Sequence, residues 1–151
     1  KLIESNEKHV YLLETKGDIL YSYGYLKEAL LFYNKIYNYN KNNHYVAKRI
    51  FDIKLSSAKY QSAKDKIKLF NDYIYLIEIF TNNKKLIKKF NKLALQINMK
   101  EWIKYFLIDE KKYNNEINNE NYIYKMKQII KNTSDDSLIR IIDGKIDKIN
   151  E

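Results

Sequence analysis

The sequence predicts an all-α protein built from antiparallel helix pairs, and three observations support this prediction. The 151 residues contain no proline, the residue that interrupts helices because it lacks a backbone donor. Apolar residues recur three or four positions apart over most of the chain, which places them on one side of successive helices. The succession of helix, turn and helix returns after about 34 residues, which indicates an internal repeat.

The composition is that of a folded domain. Hydrophobic residues make up 45% of the chain and 15 residues are tyrosine, whereas disordered chains are poor in both classes. The apolar runs are far shorter than the roughly 20 residues of a membrane span, so no transmembrane segment is expected. The chain begins with Lys1, as a trimmed or mature form would, so the lack of a leader sequence carries little weight. The default expectation is a soluble, cytoplasmic domain or a fragment of a larger or exported protein.

The first predicted helix pair has the clearest pattern. Leu13, Gly17 and Leu20 lie on one face of its first helix. Gly24 follows, and a glycine there can take the left-handed conformation that closes a helix. The apolar face of the second helix contains Leu26, Ala29, Leu30, Tyr33, Ile36 and Tyr37. The polar residues 38–43 then form a connector.

A second and a third helix pair follow, and the third is less regular than the second. The second pair has its predicted turn at residues 56–59, and its apolar positions are Ala47, Ile50, Phe51 and Leu55, then Tyr60, Ala63, Ile67 and Phe70. The third pair has its predicted turn around Asn98, and its apolar positions are Leu86, Phe90, Leu93 and Ile97, then Trp102, Tyr105, Phe106 and Ile108. Both sets recur at helical spacing.

The remainder of the chain is predicted to be a helical extension. Residues 113–121 are rich in asparagine and are interpreted as a linker between a repeat region, residues 1–112, and a C-terminal extension or cap, residues 122–151. Residues 133–136 form a strong helix-capping cluster. Asp143-Gly144 is also compatible with a hairpin turn, but the flanking apolar residues do not alternate, which favours a helix.

The first pair resembles the tetratricopeptide repeat. The matching positions are Leu13, Gly17, Leu20, Gly24, Leu26, Ala29, Tyr33 and Ile36. Gly17 and Ala29 are small where the two helices of a repeat cross closely, and Gly24 lies at the turn. The departures from the family pattern are Lys16, Leu20, Leu26 and Lys41. The second pair keeps Ala58, Tyr60, Ala63 and Ile67 but has Phe51 at a small position, and the third is degenerate, so the chain has one strong and two degenerate repeats.

The resemblance implies both a fold and a function. Tetratricopeptide-like pairs stack into a short right-handed solenoid because no single pair can bury its apolar face alone. The C-terminal extension would cap that solenoid, or form a separate element reached through the linker. Such arrays bind another protein or peptide in a concave groove, often within a multiprotein complex. The predicted function is therefore a non-catalytic protein–protein interaction scaffold.

The resemblance also indicates which residues would face a partner. The predicted partner-binding residues are Tyr11, Glu14, Asp18, Tyr21, Tyr45, Lys48, Arg49 and Asp52. Tyr11 and Tyr45 could equally be core residues, and Glu14 and Asp18 an ordinary solvated face. One subfamily grips the C-terminal carboxylate of chaperones with a lysine and an asparagine, but these positions align with Glu14 and Asp18. Two acids would repel a carboxylate, so this mode of binding is not expected.

No catalytic pattern is present, so we expect neither an enzyme nor a cofactor. The chain has no cysteine, and His9 and His44 belong to no metal-binding spacing, so surface histidines are expected and no metal site is predicted. No glycine-rich phosphate loop or nucleophile elbow occurs.

The formal charge of +9 supports an alternative function. The predicted polyanion-binding residues are Lys84, Lys85, Lys88, Lys89 and Lys92, which gather on one side of a helix away from its apolar face. They could bind nucleic acid or another polyanion. The competing interpretation is a solvated face in a lysine-rich composition, since arginine, the better phosphate ligand, occurs only at Arg49 and Arg140. A peptide-sensing domain of a larger regulator is a third possibility.

Overall fold

The structure, a computed structural model, describes the backbone of residues 2–151 and the side chains of residues 7–151. Every regular element in this part of the chain is a helix and none is a strand, which confirms the all-α prediction. The elements are α1 (Leu2–Ser22), α2 (Leu26–Tyr39), α3 (His44–Ser56), a 3₁₀ turn (Ala58–Tyr60), α4 (Ala63–Tyr73), α5 (Leu76–Ile79), α6 (Lys84–Gln96), α7 (Lys100–Tyr113), α8 (Asn119–Asn132) and α9 (Asp136–Ile149).

The chain divides into two compact units, Lys1–Leu76 and Ile77–Glu151. The predicted repeat region 1–112 extends across this division, and its residues 1–6 lie outside the described side chains. The predicted linker 113–121 falls within the second unit, where it contains the last residue of α7, a turn and the first residues of α8.

In the first unit, α1 packs on α2, α2 on α3 and α3 on α4. The buried side chains recur at helical spacing, as the apolar pattern predicts. The core contains Ala29, Tyr33, Ile36, Val46, Ala47, Ile50, Phe51, Leu69 and Phe70.

In the second unit, α6 packs on α7, α7 on α8 and α8 on α9. Its core contains Leu86, Phe90, Leu93, Trp102, Tyr105, Phe106, Tyr122, Met126, Leu138 and Ile142. Asp135 joins two of these helices, since its carboxylate accepts the Trp102 indole N–H at 2.9 Å and caps α9 through the backbone N–H of Leu138 at 3.1 Å. Asp143 and Gly144 lie inside α9, which confirms the helix over the hairpin.

Three helices are each followed by a residue in the left-handed backbone conformation. Gly24 has a φ of 83°, Asn98 of 54° and Asn115 of 58°. The residue after each donates its backbone N–H to a carbonyl five positions back, at 2.9, 3.0 and 2.8 Å. This is the bond that satisfies the last carbonyls of a helix. The predicted helix stop at Gly24 is therefore confirmed.

The asparagine-rich segments supply helix caps. The side chains of Asn43, Asn83 and Asn118 accept the backbone N–H three residues further on, at 3.2, 3.1 and 2.8 Å. Ser62 and Asp135 cap α4 and α9 in the same way. Each cap satisfies a backbone donor that a helix leaves unpaired at its start.

The second helix pair departs from the prediction. α3 ends at Ser56 and a 3₁₀ turn follows, so Tyr60 does not line the next helix, which begins only at Ala63. Ile67, predicted to line its apolar face, is 41% exposed. The late start of α4 has a local cause. The hydroxyl of Ser57 accepts the backbone N–H of Lys59 and holds the chain in a short turn after α3.

Gly17 lies at a close approach of α1 to α2. A Cβ atom at this position would lie 2.8 Å from Cε1 of Tyr33, closer than packed carbon atoms come. Tyr33 is fully buried, so its ring has little room to move away. The prediction that Gly17 provides a close helix crossing is confirmed.

We expect Gly17→Ala to lower the free energy of unfolding. Overpacking costs about 1–3 kcal/mol, whereas the better helix propensity of alanine returns no more than about 1 kcal/mol. Gly144→Ala is the matched control, because Gly144 is also helical but a Cβ there meets nothing within 4 Å. It should raise the free energy of unfolding by about 0.5–1 kcal/mol. Urea denaturation followed by circular dichroism measures both, and an unchanged midpoint in Gly17→Ala would contradict the close crossing.

Candidate functional site

Asp18 is the centre of a polar network in the first unit. Its carboxylate accepts a hydrogen bond from the hydroxyl of Tyr33, which comes from α2. The hydroxyl of Tyr45, from α3, lies 3.3 Å from each carboxylate oxygen. Side chains of α1, α2 and α3 therefore meet at one carboxylate. Burial, together with the hydrogen bond to Asp18, raises the pKa of Tyr33 well above its ordinary value of 10.0.

Arg49 adds a positive charge to this network. Its Nε and Nη2 atoms donate to the hydroxyl of Tyr45 at 3.1 and 3.0 Å, and Nε lies 4.0 Å from Asp18. Its guanidinium carbon lies 4.4 Å from the centre of the Tyr21 ring, at a distance typical of a cation–π contact. Hydrogen bonds from Arg49 to Tyr45 and from Tyr45 to Asp18 hold a half-buried guanidinium and a carboxylate in fixed positions.

A shallow groove runs along α1 beside this network. It has a volume of about 360 Å³ and is lined by Tyr11, Glu14, Thr15, Asp18, Ile19 and Ser22. Tyr11 is 69% exposed, so it is not a core residue. Partial burial and the neighbouring charge of Asp18 raise the pKa of Glu14. Glu14 therefore makes this groove locally negative, while Arg49, 4.0 Å from Asp18, offsets part of the charge of Asp18.

The structure brings most of the predicted partner-binding residues into one region. The network joins Asp18, Tyr21, Tyr45 and Arg49, and the groove adds Tyr11 and Glu14. Lys48 lies with its ammonium 5.9 Å from the ring centre of Tyr45, and Asp52 lies one turn after it on α3, half-buried.

Sequence reasoning missed the part that Tyr33 plays in this network. Helical spacing predicts a packing role alone for Tyr33, yet its hydroxyl donates a hydrogen bond to Asp18. A buried tyrosine hydroxyl usually finds a hydrogen-bond partner. Asp18, which directly follows Gly17 at the helix crossing, is therefore the signal in the sequence for a hydrogen-bond partner of Tyr33.

The predicted lysine stripe of α6 is divided by the fold. Lys84 and Lys88 line a groove of about 730 Å³ in the second unit. The remaining lining residues are Thr81, Asn82, Ile87, Asn91, Phe106, Asp109, Glu110, Lys112, Tyr113, Asn114, Asn115, Tyr122, Lys145, Lys148 and Ile149. Lys85, Lys89 and Lys92 are not among them. The groove instead gains lysines from α7 and α9.

Asp109 ties three helices together at this groove. It accepts the hydroxyl hydrogen bond of Tyr122 at 2.8 Å and lies 3.6 Å from the ammonium of Lys145. Burial, and then the charge and hydrogen bond of Asp109, raise the pKa of Tyr122. The groove is lined by two carboxylates, Asp109 and Glu110, and the ion pair with Lys145 neutralises the first of them.

Neither a cluster of metal-ligating side chains nor a membrane-spanning helix is found among the described residues. Among them no group of three or more His, Asp or Glu side chains could hold a metal ion. None of the described helices combines the length and the apolar character needed to cross a bilayer. His9 is exposed as predicted, but His44 is half-buried with its ring 5.9 Å from that of Tyr75.

Comparison with known proteins assigns this chain to no family. No family model, curated protein or solved structure matches it. The resemblance to the tetratricopeptide repeat consequently rests on the residues of the chain itself. The left-handed cap at Gly24 agrees with that resemblance but is not specific to it, since roughly a third to a half of helices end in this way.

We expect Asp18→Asn to lower the free energy of unfolding by about 1–2 kcal/mol, because hydrogen bonds to a charged acceptor are stronger than those to a neutral one. Asp72→Asn is the control. Asp72 forms an ion pair with Lys68 at 2.8 Å on an exposed face, where such pairs contribute little to stability. Urea denaturation of both variants tests this expectation, and equal losses would show that the network stabilises no more than a surface pair.

The raised pKa of Tyr33 predicts a loss of stability in alkali. Folded Tyr33 keeps its proton above pH 10.0, while the unfolded chain releases it, so the unfolded state binds fewer protons and stability falls as pH rises. This contribution is complete below pH 10.0 and declines above it. We therefore expect Tyr33→Phe to lose stability less steeply than wild type above this pH.

The same urea titrations, repeated at increasing pH, give the slope for each variant. Tyr39→Phe is the control, because Tyr39 is on the same helix but 61% exposed. It should follow the wild-type slope. Equal slopes for all three proteins would mean that Tyr33 ionises as easily in the folded chain as in the unfolded one.

Proposed function

We propose that the first unit is a non-catalytic, tetratricopeptide-like module that binds a segment of another protein along α1 and α3. In this proposal the pairs α1–α2 and α3–α4 stack as repeats within that unit. The supporting observation is the network of Asp18, Tyr45 and Arg49, which holds charged groups in place beside the exposed ring of Tyr11.

The network favours binding because its side chains are already ordered. A partner that binds flexible charges must also immobilise them, at a cost of about 0.5–1.5 kcal/mol per side chain. Arg49 is held by two hydrogen bonds to Tyr45 and lies over Tyr21, so much of this cost is met during folding. Tyrosine and arginine are also the residue types enriched where interfaces derive most of their energy.

The charge of the groove indicates the kind of partner. Burial of Glu14 and, after it, repulsion from the charge of Asp18 raise the pKa of Glu14. A lysine or arginine from the partner would relieve this repulsion, while the exposed faces of Tyr11 and Ile19 offer apolar contact. We therefore expect a partner segment that carries a basic residue next to an apolar one.

The test is a pull-down from the lysate of the source cell with wild type, Tyr11→Ala and Tyr39→Ala, at about 50 and 200 mM salt. Tyr11 and Tyr39 are exposed to similar extents, 69% and 61%, in the same unit, so the two variants should be equally stable. We expect a protein that wild type and Tyr39→Ala retain at both salt concentrations and that Tyr11→Ala loses.

Two outcomes would contradict the proposal. Equal retention by Tyr11→Ala and Tyr39→Ala would exclude the groove on α1 as the binding surface. Recovery of nucleic acid at low salt alone, unaffected by either substitution, would favour binding of polyanions through lysines instead.

A further inference from the structure

The second unit contains a groove that the proposed partner site does not use. We propose that this groove, between the exposed side of α6 and the C-terminal ends of α7 and α9, binds an extended acidic peptide segment of a protein. This second site is independent of the surface on α1 and α3. Its occupant is identified by the charge of the groove, by its apolar floor and by its amide groups.

The groove carries an excess of positive charge. Lys84, Lys88, Lys112 and Lys148 line it, and within the described part of the chain no carboxylate forms an ion pair with any of them. Lys145 and Asp109 neutralise each other, which leaves Glu110 as the opposing charge. Complementary charge would therefore draw in and orient a ligand with several carboxylates.

The other lining groups favour a peptide over a nucleic acid. Ile87 and Ile149, both half-buried, provide an apolar floor on which aliphatic side chains can pack. None of the described lining residues is an arginine, the side chain that binds phosphate bidentately.

Asparagine amides line the same groove. An extended peptide brings backbone N–H and C=O groups that need partners once water is excluded. Asn82, Asn91 and Asn114 each offer both a donor and an acceptor. Acidic side chains can then reach the lysines while apolar ones lie on the floor, since neighbouring side chains of an extended strand point to opposite sides.

The rim of the groove is held in position. The ammonium of Lys84 lies 4.3 Å from the ring centre of Tyr113, a cation–π contact that restricts both side chains. Tyr113 is nevertheless 64% exposed, so one face of its ring remains open to a ligand.

The test measures fluorescence anisotropy of a labelled short peptide of alternating glutamate and leucine, added to the full chain. The groove variant is Lys84→Glu/Lys88→Glu. The matched control is Lys85→Glu/Lys92→Glu, which makes the same change of net charge on the same helix outside the groove lining. We expect the groove variant to bind at least about tenfold more weakly than wild type, and the control to lose about threefold or less.

Several results would overturn this proposal. Equal weakening by the two double variants would mean that the peptide responds to net charge alone. A single-stranded RNA of the same length that binds wild type more tightly than the peptide does would identify a polyanion site. Loss of RNA binding in the groove variant, with binding retained in the control variant, would mean the same. No binding of the peptide by wild type at millimolar concentration would exclude the site. Tyr11→Ala should bind the peptide as wild type does, so this proposal and the one for α1 and α3 can fail separately.

Discussion

Tyr33 lies with its ring against the backbone of Gly17 and its hydroxyl on the carboxylate of Asp18. The absence of a Cβ at Gly17 brings α2 close enough to α1 for this hydrogen bond to form. The bond in turn orients Asp18 within reach of Tyr45 and Arg49 on α3. A constraint on packing thus determines the geometry of the polar surface, and the candidate site depends on the same glycine as the core.

The interiors of the helices were predictable because their causes are local. An apolar residue every three or four positions identifies the buried side of a helix wherever it packs. Gly24 could be assigned to a helix end for a similar reason, since a left-handed residue is most readily a glycine. Asn98 and Asn115 take the same left-handed conformation, but asparagine is a less specific signal for it than glycine. The sequence predicts the turn at Asn98, whereas around Asn115 its asparagine-rich composition indicates a linker.

The remaining features depend on competition or on long-range placement. Around Ser57 a side-chain hydroxyl competes with the helix for a backbone donor, and apolar spacing does not report which of the two prevails. The groove of the second unit requires Lys148 of α9 to lie near Lys88 of α6, 60 residues earlier in the chain. Periodicity shows which side of each helix is polar, but it does not show which polar sides meet.

The two candidate sites also show why net charge is a poor guide to binding. The chain as a whole is strongly basic, at +9, yet the groove on α1 presents two neighbouring carboxylates, Glu14 and Asp18. Exposed charges are screened beyond roughly 8–10 Å at physiological salt, so a ligand responds mainly to the groups that line its own site. On that scale the two proposals are compatible, with a basic segment on the α1 groove and an acidic one on the α6 groove. A single polyanion bound through the overall charge would satisfy the lysines of the second groove but would be opposed by Glu14 and Asp18 in the first.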